Sequence, residues 1–222
     1  MKIGRLILIC LAVVYSVAFG DQIINQQSEV SGTDFSVLQS DRNQTVIDLR
    51  FPEAMINDTL IDGKSFDVLW MKGMGHMTRV GYPQLPQTTR LLAIDATGEF
   101  QVEVSDVQYL EYDGFTILPA QPPLMRDGQK AEFQYDEKWY QTDVWFPEKS
   151  VRPEAAAVWR ELRALPLNIS PFQYNPARKQ LRLITGMRIT IRKTGPSGDN
   201  ELVNRPAAIS HTFDPLYRKF IL

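Results

Sequence analysis

The sequence predicts an all-β protein, an antiparallel β-sandwich with a short C-terminal helical tail. Three observations lead there. Short apolar stretches alternating at period two recur at roughly 8–12-residue spacing, the signature of many half-buried strands. Turn formers stand between them, as in Thr97-Gly98, Asp113-Gly114 and Thr185-Gly186. With 44% hydrophobic residues, 11 Phe, 8 Tyr and 4 Trp, the 222-residue chain can fill one large core.

The chain opens on a basic head, Lys2 and Arg5, then an apolar run from Leu6 to Phe19 and small residues at Ala18 and Gly20. This reads as a secretory signal peptide over residues 1–20, cleaved after Gly20, since the run is short for a membrane span. Cys10, the one cysteine, leaves with it, and losing Lys2 and Arg5 takes the net charge from −2 to −4. The expected product is exported, periplasmic or extracellular in a bacterium, free of disulfides and of membrane contact after cleavage.

Residues 21–44 are polar and read as a loosely ordered lead-in with one strand near 35–38. The expected sandwich spans residues 45–194. It begins with a strand that puts Val46, Asp48 and Arg50 on one face and Ile47, Leu49 and Phe51 on the other. Further strands are expected over 66–71, 88–94 and 100–107, with 108–118 continuing after a break. Prolines 119, 122 and 123 end regular structure, and 119–138 is a loop by composition. Strands are expected again over 139–146, 165–174, 180–184 and 187–191, the last two joined by a tight hairpin at Thr185-Gly186. Residues 153–162 carry strong helix formers behind Pro153 and by propensity read as helix. Residues 195–222 form a linker and tail, with a short helix over 214–220.

Charge and motifs narrow the chemistry. A net acidic chain has no basic excess to neutralise a phosphate backbone, so no nucleic-acid partner is expected. The two histidines, His76 and His211, lack metal-ligand spacing, and His76 reads as a solvated loop residue. No nucleophile elbow, phosphate loop or dinucleotide fingerprint occurs. We expect no catalytic residue, metal or cofactor. A second reading is a secreted β-sandwich binding module, with Trp139, Tyr140 and Trp145 as an aromatic platform for a glycan or surface protein.

Three stretches carry a resemblance: Gly81-Tyr82-Pro83-Gln84-Leu85-Pro86; Leu167 to Pro176, with Pro171-Phe172-Gln173-Tyr174-Asn175-Pro176 at its end and Leu181-Arg182-Leu183 after it; and Phe213-Asp214-Pro215-Leu216-Tyr217-Arg218-Lys219-Phe220. Together the chain resembles the N-terminal propeptide domain of gingipain-type cysteine peptidases, over about residues 45 to 222. The prolines and glycine of these motifs suit a scaffold role. The resemblance implies a β-sandwich that assists folding of a peptidase and keeps it latent by placing a basic side chain in its substrate pocket. Met125-Arg126 falls at the family's inhibitory basic residue, which makes Arg126, flanked by Met125 and Asp127, the inhibitory candidate. It also implies strand, against propensity, over 155–165. The implied partner is a gingipain-like catalytic domain, met in cis in the family. No peptidase sequence precedes Leu222, so a truncated fragment, an inhibitor acting in trans and a degenerate relic all stay open.

Overall fold

The computed structural model describes residues 21–123, 131–204, 212–215 and 217. Their strands, in chain order, are β1 (Gln22–Ile24), β2 (Asp34–Ser40), β3 (Gln44–Arg50), β4 (Ala54–Ile61), β5 (Lys64–Met71), β6 (Gly75–His76), β7 (Pro86–Ile94), β8 (Glu99–Asp113), β9 (Val151–Pro153), β10 (Ala157–Trp159), β11 (Leu162–Ile169), β12 (Phe172–Asn175) and β13 (Gln180–Gly195). All pair antiparallel, in three sheets.

β13 is the spine of the first sheet. One edge pairs with β8 along nearly its whole length; the other pairs first with β12 and then with β3, whose far edge carries β2. In the second sheet β11 pairs with β10, β9 and β7, and β7 with β6. The third holds β1, β4 and β5. Period-two alternation sends Ile47 and Leu49 of β3, Leu181, Leu183, Ile189 and Ile191 of β13, and Leu165, Leu167 and Ile169 of β11 into one buried cluster with Ile56 and Leu69 of the third sheet.

Several expectations change in contact with the fold. Thr185-Gly186 is no hairpin: both halves belong to one strand, and the residues form a bulge there. A second irregularity in β8, where Asp106 has φ 52°, restores the register, so the expected break before residue 108 is a bulge inside one strand. The expected strand over 139–146 is instead a single 3-10 turn, Trp139–Gln141, started by the Asp136 carboxylate accepting the Trp139 N–H at 3.0 Å; only Phe146 bridges a strand residue, Tyr174. The stretch 165–174 divides at Ser170-Pro171 into β11 and β12. Strand wins over helix at 155–165, as a β10–β11 hairpin turning at Arg160, where φ is 58°. The pairing of β11 with β7 outweighs local propensity. The polar stretch 21–44 is more ordered than expected, since β1 and β2 each extend a sheet.

The expected linker folds back onto the domain. The buried Arg163 guanidinium donates to the carbonyls of Asp95 (3.2 Å), Gly98 (2.8 Å) and Asp199 (2.6 Å). The Glu201 carboxylate accepts the Gly98 and Gly198 N–H groups, both at 3.0 Å, and the Leu202 N–H reaches the Ala96 carbonyl at 2.9 Å. Gly98 has φ +100°, and a Cβ there would stand 2.7 Å from the Gly195 carbonyl, so this corner requires glycine. Asp214, Pro215 and Tyr217 are helical, the Tyr217 hydroxyl bonds the Glu161 carboxylate, and Arg160 lies over the Phe213 ring at 3.9 Å.

Core position and surface position should separate cleanly in denaturant melts. Leu183→Ala, at a fully buried site, is expected to lose about 2–5 kcal/mol. Leu110→Ala, exposed on β8, should stay within about 0.5 kcal/mol of the parent.

Candidate functional site: the neck of the 122–133 segment

Arg126, Met125 and Asp127 lie outside the described residues. The chain entering and leaving their segment is described, and it is held by a dense set of specific contacts. Residues 115–120 run between β5 and the 80–84 stretch, hydrogen-bonded on both sides. Toward β5, the Asp67 N–H donates to the Thr116 carbonyl (2.7 Å), the Leu118 N–H to the Asp67 carbonyl (2.9 Å), and the Thr116 N–H to the Asp67 carboxylate (2.5 Å). Toward the other side, the Gly81 N–H meets the Ala120 carbonyl (2.9 Å), the Ala120 N–H the Tyr82 carbonyl (2.7 Å) and the Gln84 N–H the Leu118 carbonyl (2.8 Å).

Two buried tyrosines complete this anchoring from beneath. The Tyr140 hydroxyl donates to the Ile117 carbonyl at 2.8 Å and the Tyr174 hydroxyl to the Phe115 carbonyl at 3.0 Å. Burial pushes both phenols up, so they stay protonated donors at any physiological pH. Carbonyls at this depth would otherwise lose water without a replacement partner.

The returning chain is clamped to the outgoing one. Gln121 turns its side-chain amide across the neck: Oε1 accepts the Gln134 N–H at 2.9 Å, and Nε2 donates to the Gln134 carbonyl at 2.9 Å and to the Pro119 carbonyl at 3.0 Å. Just beyond, Phe133 and Tyr135 pack on Phe66, with centroids at 5.6 and 5.8 Å, and Tyr135 packs on Tyr140 at 4.5 Å. Lys64 sits over the Tyr135 ring at 5.1 Å and pairs with Glu137 at 3.4 Å, an exposed contact worth little in water.

The scaffold motifs meet here. Gly81 (φ +81°) makes the bend, Pro83 bridges Pro119, and Leu85 is fully buried ahead of Pro86, the first residue of β7. The Pro86 carbonyl accepts the Ser170 hydroxyl at 3.0 Å, which ties this motif to the one that starts at Pro171. The Pro171 carbonyl accepts the Ile184 N–H at 2.7 Å. Gln173 donates to the Pro147 carbonyl at 3.0 Å, and buried Asn175 donates to Asp143 at 2.7 Å. Pro176 opens a turn in which its carbonyl accepts the Lys179 N–H at 3.2 Å. Gly81, Pro83 and Tyr174 thus touch the neck itself, while Pro171, Gln173, Asn175 and Pro176 fix the strands and turns behind it.

Other candidates fare differently. His76 is not a free loop residue: Nε2 lies 2.7 Å from the Leu69 carbonyl, and the ring meets Trp70 edge-on at 4.7 Å. His211 lies outside the described residues. Trp139, Tyr140 and Trp145 make no flat platform. Tyr140 is buried, Trp139 packs between Tyr82, Tyr140 and Phe146, and Trp145 is faced by Arg182 at 4.2 Å. Sequence reasoning gave no role to Gln121, Asp67 or Arg163, whose partners are distant in the chain. A glutamine beside a proline-bounded loop was the one local hint.

Buried Tyr140 and Tyr174 thus meet the chain that enters the 122–133 segment, and the Gln121 amide spans its two ends, within an all-β antiparallel domain. The Propeptide_C25 family model matches residues 25–211, and the chain belongs to that family. It is 29% identical to gingipain R1 of Porphyromonas gingivalis over 148 residues, which covers 66% of this chain and 15% of that protein. With Lys-gingipain HG66 of the same organism, identity is 24% over 178 residues, 76% of this chain and 10% of the relative. The chain therefore spans a small part of the curated relatives it matches, and the matched part is a propeptide, not a catalytic domain. Among solved structures it is similar to the complex of Porphyromonas gingivalis RgpB pro- and mature domains, with TM-score 0.74, 21% identity and coverage of 84% and 96% of the two chains. A structure concerning zymogenic latency of gingipain K from the same organism is also similar, with TM-score 0.67, 20% identity and coverage of 79% and 100%.

Asp67 gives the neck a pH response. Burial, with Asp58 directly opposite it across β4 and β5, raises its pKa to about 6, against the pull of the Thr116 N–H. A carboxyl whose folded pKa exceeds its unfolded value holds a proton between the two that the unfolded chain has released, so stability falls as pH rises through about 4 to 6. Asp67→Asn should flatten that slope and raise the urea midpoint at pH 7.5, leaving it little changed at pH 4.

Proposed function

We propose that this protein is an exported propeptide that assists folding of a gingipain-like cysteine peptidase and keeps it latent, with Arg126 entering the substrate pocket. The observation that supports this best is the neck. Buried hydroxyls and a carboxylate fix the chain that enters the segment containing Arg126, and a side-chain amide ties it to the chain that leaves. Fixing the flanks of a binding segment lowers the entropy lost when it docks. A guanidinium suits an acidic pocket because its planar fork can pair bidentately with a carboxylate. Met125 and Asp127 would contact the rim of that pocket. The partner is a peptidase catalytic domain, joined to this domain in the relatives and free to be met in trans.

Export belongs to the same reading, with residues 1–20 as the signal and Asp21 as the first residue of the exported form. Mass spectrometry of protein recovered outside the cytoplasm should find that start.

The direct test adds the purified protein to mature gingipain R1 and follows hydrolysis of an arginyl substrate. Saturable inhibition is expected, and Arg126→Ala should weaken it by roughly 2–5 kcal/mol, because it empties a charged pocket. An Arg126→Ala protein that inhibits as well as the parent would remove Arg126 from the mechanism.

A further inference from the structure

We infer that Gln121 is a positioning residue for inhibition, its side-chain amide setting the spacing and register of the two chain segments that flank residues 122–133. This rests on the inhibitory reading above.

The geometry is that of a ladder rung made by a side chain. In an antiparallel pair, a residue exchanges one N–H and one carbonyl with the residue opposite. Gln121 makes the same two-bond exchange with the backbone of Gln134, thirteen positions along the chain, at 2.9 Å in each direction. A third bond, from Nε2 to the Pro119 carbonyl at 3.0 Å, orients the amide plane. All three bonds go to backbone, so they read the path of the chain and not the identity of neighbouring side chains.

The neighbourhood explains why a side chain is needed. Proline lacks an N–H, and Pro119, Pro122 and Pro123 surround this position, so backbone pairing cannot continue across the neck. On the outgoing side the last backbone bonds are those of Ala120 with Gly81 and Tyr82. On the returning side the next is the long 3.4 Å contact from the Asp136 N–H to the Gly81 carbonyl. Between them the Gln121 amide bonds one flank directly to the other, at Gln134, nearer the segment than the Tyr140–Ile117 bond. Further from the segment the flanks are joined indirectly, through Gly81, which bonds both Ala120 and Asp136, and through Tyr140, which packs on Tyr135 and bonds the Ile117 carbonyl. Losing the amide therefore loosens the flanks where they meet the segment, while these deeper contacts keep the sandwich intact.

The test is a double-mutant cycle on inhibition of mature gingipain R1, using the full protein with Gln121→Ala, Arg126→Ala and both together. Gln121→Glu is the companion variant; it keeps the shape and the acceptor but removes both donors. Gln121→Ala should raise the inhibition constant about tenfold, the scale of one to two net hydrogen bonds, with the thermal midpoint lowered by no more than about 4 °C. Gln121→Glu should move it the same way. The double variant should inhibit no worse than Arg126→Ala, since a positioning residue has nothing left to position. Inhibition unchanged in both Gln121 variants, or losses that simply add in the double variant, would overturn the proposal while leaving the role of Arg126 standing. Full inhibition by Arg126→Ala would instead remove the pocket-filling reading, and this inference with it.

Discussion

The two-edged pairing of β13 is the constraint on which the remaining structure depends. A strand with partners on both sides must satisfy every backbone group against neighbours that themselves twist. β8 follows it for nearly its full length, while β12 and β3 divide the opposite edge between them. The handover falls at Thr185-Gly186, where the Thr185 carbonyl accepts the Phe51 N–H at 3.0 Å. One bulge on β13 and a compensating one on β8 let the sheet bend there without reversing the faces of Ile189 and Ile191. Asp106, turned out by its positive φ, then pairs with Arg188, which also holds Asp48.

That constraint explains which parts of the fold were legible. The alternation in β3, with Ile47, Leu49 and Phe51 inward, reads directly from sequence because the burial is local and periodic. Thr185-Gly186 misleads because a turn dipeptide and a bulge use similar residues, and only the distant partner strand decides between them. Residues 153–162 mislead for the opposite reason. Their propensity is helical, but β11, itself held by β7, offers an edge and hydrogen bonds that local preference cannot match. At 139–146 the aromatic run resembles a strand by composition, yet Asp136 starts a 3-10 turn and the rings collect into one cluster.

The neck was visible in outline only. The motif residues Gly81, Pro83, Pro86, Tyr174 and Asn175 announce themselves through backbone geometry or burial. Gln121, Tyr140 and Asp67 act through partners 13, 23 and 49 positions away. No period or spacing encodes such contacts. Their common logic is that a segment leaving a hydrophobic core brings carbonyls and amides with it, and each must be met by a donor or acceptor delivered from elsewhere.

The docked linker places the two ends of the molecule's business far apart. The neck stands beside Leu85 and Pro86, where β7 begins, and the Arg163 corner receives the linker where β7 ends. A strand of that length puts about 30 Å between them. The contacts of Phe213 and Tyr217 with Arg160 and Glu161 keep the tail at the far end too. The neck and the tail are thus separate stations on one sandwich, with the length of β7 between them. A change at the Arg163 corner therefore reaches the neck only through the strands between them, and the two stations can be altered one at a time, as sites this far apart without shared partners usually can.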